Sequence, residues 1–143
     1  MTRPRPITIL RGSEKDKGPG MTIVLNHTIV PARNKRDAAR WFARIFDRPF
    51  DEAAAEHFAP VRVNDTLTLL FNDSSNFGPG HYAFHVSDTE FGAIFDRVKR
   101  EGVKFGSAPG SFEDGKLNNW NGGRGVYFKS PDGHVLELMT VAQ

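Results

Sequence analysis

Residues 80–88 read GHYAFHVSD, a run in which His81, Ala83 and His85 recur at spacings of two among apolar and aromatic neighbours. Such alternation belongs to a strand whose successive side chains point to opposite faces, so the two histidines share a face. Ser87 and Glu90 follow with the spacing of a capping box, and the helix they open carries Phe91, Ile94, Phe95 and Val98 on its inner side and stops at Gly102. A short strand around residues 103–105 and a long polar loop, GSAPGSFEDGKLNNWNGG, come next. The segment RGVYFKSPDGHVLELMT, two strands joined by a Pro-Asp-Gly turn, then completes a strand-helix-strands unit.

The same order precedes the Pro/Gly break at residues 77–80. MTIVLNHTIVPARN opens at Met21 with β-branched alternation, which predicts a strand running to about Pro31. The period then changes: Ala38, Trp41, Phe42, Ile45 and Phe46 fall at helical spacing behind Asn34 as N-cap. HFAPVRV and TLTLLFND, divided by Asn64-Asp65, read as a hairpin. The body is therefore one unit repeated, a first module over residues 21–76 and a second over residues 79–143. Setting His27 on His81 starts the copies in register, and matching NDTLTLL with DGHVLEL places Thr68 opposite Glu137. The second copy then carries about 15 extra residues, almost all in the polar loop, a length suited to a lid or binding edge.

At 143 residues the chain has room for one domain with a sizeable core, and 38% hydrophobic residues with twelve Phe is globular composition. Nineteen basic residues oppose 17 acidic ones, but the excess is local. Residues 1–20 hold five basic and two acidic groups, which leaves 14 basic against 15 acidic in the rest. The basic charge thus belongs to a flexible N-terminal extension ahead of Met21, itself a second candidate start, and the neutral body argues against a nucleic-acid partner. No apolar run approaches the roughly 20 residues of a membrane helix. Without a secretory signal pattern and without cysteine, a cytoplasmic protein is expected.

Each unit buries one sheet face under its helix and leaves the other to be covered. If the two free faces pair, an incompletely closed barrel with a cleft results. The residues alternating into that cleft are Leu25, His27 and Ile29 in the first strand, His81, Ala83 and His85 in the fifth, and Val135, Glu137 and Met139 in the last. Two histidines and one carboxylate from separate strands form a facial set that leaves positions open on a metal. A buried Glu137 needs a compensating charge, which a divalent cation supplies. A single strand histidine is more often a hydrogen-bonded packing residue, and Arg62 and Arg124 are alternative partners for Glu137. The coincidence of the three at related positions of two repeats favours the ligand reading.

LNHTIVPA, GHYAFHVSD and GGRGVYFKSPDGHVLELMT together resemble the vicinal oxygen chelate superfamily, which includes glyoxalases, extradiol dioxygenases, fosfomycin-resistance transferases and bleomycin-resistance proteins. The resemblance spans residues 21–140. It implies an α+β fold of two βαβββ modules paired into an incompletely closed mixed β-barrel. It also implies one divalent ion per site (iron, manganese, nickel, cobalt or zinc), with His27, His81 and Glu137 as ligands. Modules of this superfamily often pair across a homodimer, so His27 serves either its own site or a partner's. Two departures matter. A fourth ligand closes the first module in glyoxalase I, where this chain has the neutral Thr68, and a histidine precedes the Val-Tyr pair in extradiol dioxygenases, where this chain has Asn118, Asn119 and Trp120.

His85, roughly 7 Å along the strand from His81, is a candidate acid/base or a packing histidine. Tyr127 is a candidate hydrogen-bond donor to a substrate oxygen, with Glu137 also counted in the catalytic set. Arg124 and Trp120 are assigned to substrate binding, although a structural bond to the loop is the commoner role for such an arginine. His57 and His134 receive no functional weight. The expectation is a metal-dependent glyoxalase- or dioxygenase-like enzyme acting on a small molecule bound through adjacent oxygens. The alternative is a metal-free binding protein of the bleomycin-resistance kind.

Overall fold

The computed structural model describes residues 22–143, so the basic extension assigned to residues 1–20 and the second start at Met21 lie outside the described residues. The first module comprises strand β1 (His27–Ala32), helix α1 (Lys35–Phe46), a 3-10 turn at Glu52–Ala54, and strands β2 (Ala59–Arg62) and β3 (Thr68–Asp73). The second comprises β4 (His81–His85), α2 (Asp88–Arg100), β5 (Phe105–Gly106), a 3-10 turn at Trp120–Gly122, β6 (Gly125–Lys129) and β7 (Val135–Met139). The strands form a three-stranded sheet in the order β1-β3-β2 and a four-stranded sheet in the order β4-β7-β6-β5, each with one parallel pair. The fold is α+β, and the second module has the full βαβββ set while the first has a 3-10 turn where the second has β5.

Local chemistry sets the helix ends where the sequence places them. Asn34 accepts the amide of Asp37 at the start of α1, and Ser87 and Glu90 exchange both bonds of a capping box at the start of α2. After α2 the chain turns at Gly102, whose φ of 71° lies in the left-handed region that glycine enters without strain. Arg44 of α1 reaches Glu101 beyond α2 at 2.7 Å, and Arg97 of α2 donates to the Ile45 carbonyl at 3.0 Å. The helices therefore lie against each other.

Both modules share one core. Phe42 stacks on Phe46 with ring centres 4.1 Å apart, and the pair touches Phe71 of its own sheet and Phe84 of the other. Trp41 meets Phe128 of β6 at 6.4 Å. Even-numbered positions of β4 and β7 (Phe84, Leu136, Leu138) face these helices, and the odd-numbered ones face away. The two sheets are not closed on each other, as expected of an incomplete barrel, and on the helix-free face of the first sheet Ile29 is 49% exposed.

Two expectations are corrected. The first strand begins at His27 rather than Met21, because the pairing with β3 starts at His27, with the Asn26 carbonyl accepting the Thr68 amide just ahead of it, and Ile23 is 96% exposed. The repeat register also shifts by two. His27 pairs with Thr68 as His81 pairs with Val135, and Ile29 pairs with Leu70 as Ala83 pairs with Glu137. The first-module counterpart of Glu137 is therefore Leu70, not Thr68, and that position again carries no ligand.

A core shared this way should fail as a unit. Phe42→Ala is expected to lower stability by about 3–5 kcal/mol, the usual cost of truncating a buried phenylalanine. Urea unfolding should report Trp41 and Trp120, one in each module, in a single transition; two separated transitions would show that the modules do not depend on each other.

Candidate functional site

Glu137 sits in the middle of β7, flanked by β4 and β6, and is 4% exposed. Its neighbours across the ladders are Ala83 on one side and Tyr127 on the other. Ala83 presents only a methyl group, which leaves space over the carboxylate on the helix-free face. Into that space comes His81, whose Nε2 lies 3.0 Å from Oε1 of Glu137. Gln143 donates to Oε2 at 3.0 Å, and the Tyr127 phenol, directly across the ladder, feels the carboxylate closely enough for it to favour the protonated form.

Among the described residues no lysine or arginine pairs with Glu137. The two arginines the sequence offered are engaged elsewhere. Arg62 donates to the carbonyls of Asn64 and Asp65, and Arg124 bonds Asp88 and lies over the Phe91 ring at 4.4 Å. A buried carboxylate served by an imidazole and neutral donors is an electrostatic environment that suits a divalent cation.

The other assigned residues divide. Tyr127 adjoins His81, with ring centres 5.9 Å apart, and Trp120 and Phe112 stand over it at 6.0 and 6.1 Å. Trp120 is 41% exposed, so it forms an aromatic rim to the site. His85 lies on the same strand face as His81, exposed, with Nε2 3.2 Å from the Thr140 carbonyl. Arg124, assigned to substrate, is instead turned to the helix side with Asp88 and Phe91. Counting back by two from Tyr127 would have shown this, since 125 and 127 share the site face and 124 does not.

His27 is exposed at the start of β1 in the other sheet, its Nδ1 2.8 Å from the Asn26 side-chain oxygen. The structure does not bring it to His81 and Glu137, and no group of three or more potential metal-ligating side chains forms among the described residues. A groove of about 500 Å³ between the modules reaches Ala83 and His85. It runs along the outer edge of β4, and its charged walls are already occupied: Arg97 by Ile45 and Asp47, Glu90 by its capping box. His134, given no weight from sequence, is 3% exposed and hydrogen-bonded through both ring nitrogens.

Residues 15–138 match the profile of the Glyoxalase/Bleomycin resistance protein/Dioxygenase superfamily. The chain belongs to this superfamily. Among solved structures it is similar to oxidase ChaP-H2, with 38% identity over 85% of this chain and 96% of that one and a TM-score of 0.80. It is likewise similar to oxidase ChaP-H1, with 39% identity over 85% of this chain and 98% of that one and a TM-score of 0.75. Lactoylglutathione lyase from Agrobacterium tumefaciens shares the superfamily fold, at 19% identity over 85% and 94% of the two chains and a TM-score of 0.60. No curated protein matches the chain significantly.

The Tyr127 phenol is pushed up to about 12, first by burial and then by its interaction with Glu137 and that group's negative charge. The folded state thus favours the protonated phenol. The associated stability is fully present below the ordinary tyrosine value near 10 and is lost as pH rises towards 12. Absorbance titration of the metal-free protein should show Tyr127→Phe removing a tyrosinate signal from the high end of this range, while Glu137→Gln lowers it. Tyr127 ionising near 10 in the native protein would contradict the contact.

Proposed function

We propose that this chain is a divalent-metal-dependent oxidase of the vicinal oxygen chelate type, acting in the cytoplasm as a homodimer on a small molecule bound through adjacent oxygens. The observation that carries the proposal is the buried Glu137 carboxylate, in contact with His81 and without a basic partner among the described residues. His81 and Glu137 would hold the ion from one chain, and His27 of the partner subunit would complete the set. Exposure of His27 beside the open apolar face of Leu25 and Ile29 supports its use by a second copy. The names of the two relatives at 38% and 39% identity, both oxidases, support the reaction class and favour a redox-active ion such as iron or manganese.

When bound, the ion would supply Lewis acidity that favours the deprotonated form of a coordinated hydroxyl. The chain's own groups do the rest. His85 donates through Nε2 to the Thr140 carbonyl, which leaves Nδ1 as the ring's acceptor for a substrate proton. Tyr127 stays protonated throughout the neutral range and so acts only as a hydrogen-bond donor, towards Glu137 or a substrate oxygen. Trp120 and Phe112 offer apolar surface above Tyr127 and exclude water from that side.

The aromatic rim alone would also serve a metal-free binding protein. The two readings part on metal content. Protein prepared without chelator should contain one divalent ion per chain, and His81→Ala should contain none; equally low metal in both would leave the binding protein as the surviving reading.

Sharing of the site has its own test. His27→Ala and His81→Ala chains, each unable to bind metal alone, should regain binding when mixed and refolded together, because one of the two sites in a mixed dimer is intact. Failure of the mixture to bind would place all ligands within one chain.

A further inference from the structure

His134 begins on the side of β7 away from Glu137 and is buried at the junction of the two modules. Its Nδ1 accepts the Gly80 amide at 2.8 Å, and its Nε2 lies 2.7 Å from the Pro31 carbonyl. The partners decide the tautomer. An amide N–H only donates and a carbonyl only accepts, so Nδ1 is bare, Nε2 carries the hydrogen, and the ring is neutral. Phe77 stacks on it with centres 5.4 Å apart and Tyr82 meets it edge-on at 5.7 Å, which holds the ring plane.

Through these bonds one imidazole joins three strands. Gly80 immediately precedes His81 on β4, Pro31 belongs to β1, the strand of His27, and His134 itself leads into β7 three residues before Glu137. The turn that carries it is anchored to the end of β1 as well: Arg33 donates its amide to Asp132 at 3.1 Å and its guanidinium to the Pro131 carbonyl at 2.7 Å. Gly80 also accepts the Val135 amide at 2.9 Å, so its main chain is held on both sides. The start of β4 can therefore shift relative to β7 only by breaking the bond to His134.

We propose that His134 is the positioning residue of the metal centre: its Nδ1 fixes the Gly80 amide and so sets His81 against Glu137, while the Nε2 bond to Pro31 keeps the ring in place. The role rests on the metal reading above, and it acts through His81 without touching the ion or substrate. Hydrogen-bond partners behind metal-ligating residues commonly change metal affinity by about 10–100-fold.

Two substitutions separate the two bonds. In His134→Asn the side-chain oxygen takes the place of Nδ1 and keeps the Gly80 bond; in His134→Gln the terminal amide takes the place of Nε2 and keeps the Pro31 bond. Full-length wild type and both variants are titrated with cobalt(II) by absorption, and Gly80 amide exchange and melting temperature are measured on the metal-free proteins. The expected result is that His134→Gln binds cobalt about 10–100-fold more weakly and exchanges faster at Gly80. His134→Asn should stay near wild type in both respects even though it melts earlier. Equal cobalt affinity in all three proteins, a larger loss in His134→Asn, or a parallel loss in both variants that tracks their melting temperatures would overturn the proposal. If wild type itself binds no cobalt, the metal reading fails, and exchange alone judges His134: faster Gly80 exchange in His134→Gln than in His134→Asn upholds its hold on β4, and equal rates remove it.

Discussion

The constraint on which the molecule turns is that one helix face serves two sheets. Phe42 and Phe46 of α1 pack against Phe71 on their own side and Phe84 on the other, within a single cluster of buried residues. Each buried phenylalanine contributes about 1.5–3 kcal/mol, and neither sheet can keep that contribution alone. Once the helix-covered faces are joined in this way, the other face of each sheet is left without a helix of its own. That geometry puts His81 and Glu137 on one sheet and His27 on the other.

Glu137 shows how a strand can hold an ionisable group at low exposure. Parity places it on the helix-free face, yet flanking strands on both sides and the Gln143 side chain screen it from water. Tyr127 feels the result, its phenol held in the protonated form by burial and by the carboxylate beside it. The same two strands that shield the group carry the residues able to work with it, and His81, half exposed, lies on the open side of the carboxylate.

Much of this was legible from residue order because the signals are local. The caps at Asn34, Ser87 and Glu90 act within three residues of themselves, and strand parity assigns His81, His85, Tyr127 and Glu137 to one face by counting. What depends on distant main chain was not legible. The two-residue shift that sets Leu70 in the place of Thr68 is a property of how β1 meets β3. The partners of His134 are an amide 54 residues away and a carbonyl 103 residues away, and no periodic pattern encodes them. The start of β1 was misplaced for a related reason: Ile23 and Leu25 alternate like a strand, but alternation describes a face and does not provide a neighbour to pair with.

Pro31 has a role beyond ending the first strand. β1 is an edge strand, and its even-numbered residues are those bonded to β3, as the contacts of Asn26 and Ala32 at its two ends show. The odd-numbered residues therefore turn their main-chain groups outward, where an edge invites runaway association with other chains. At position 31 there is no N–H to offer and the carbonyl is already taken by His134. The far end of the edge is thereby closed to an incoming strand, and any pairing β1 accepts is confined to His27 and Ile29, which limits it to short, discrete assemblies instead of open-ended fibres.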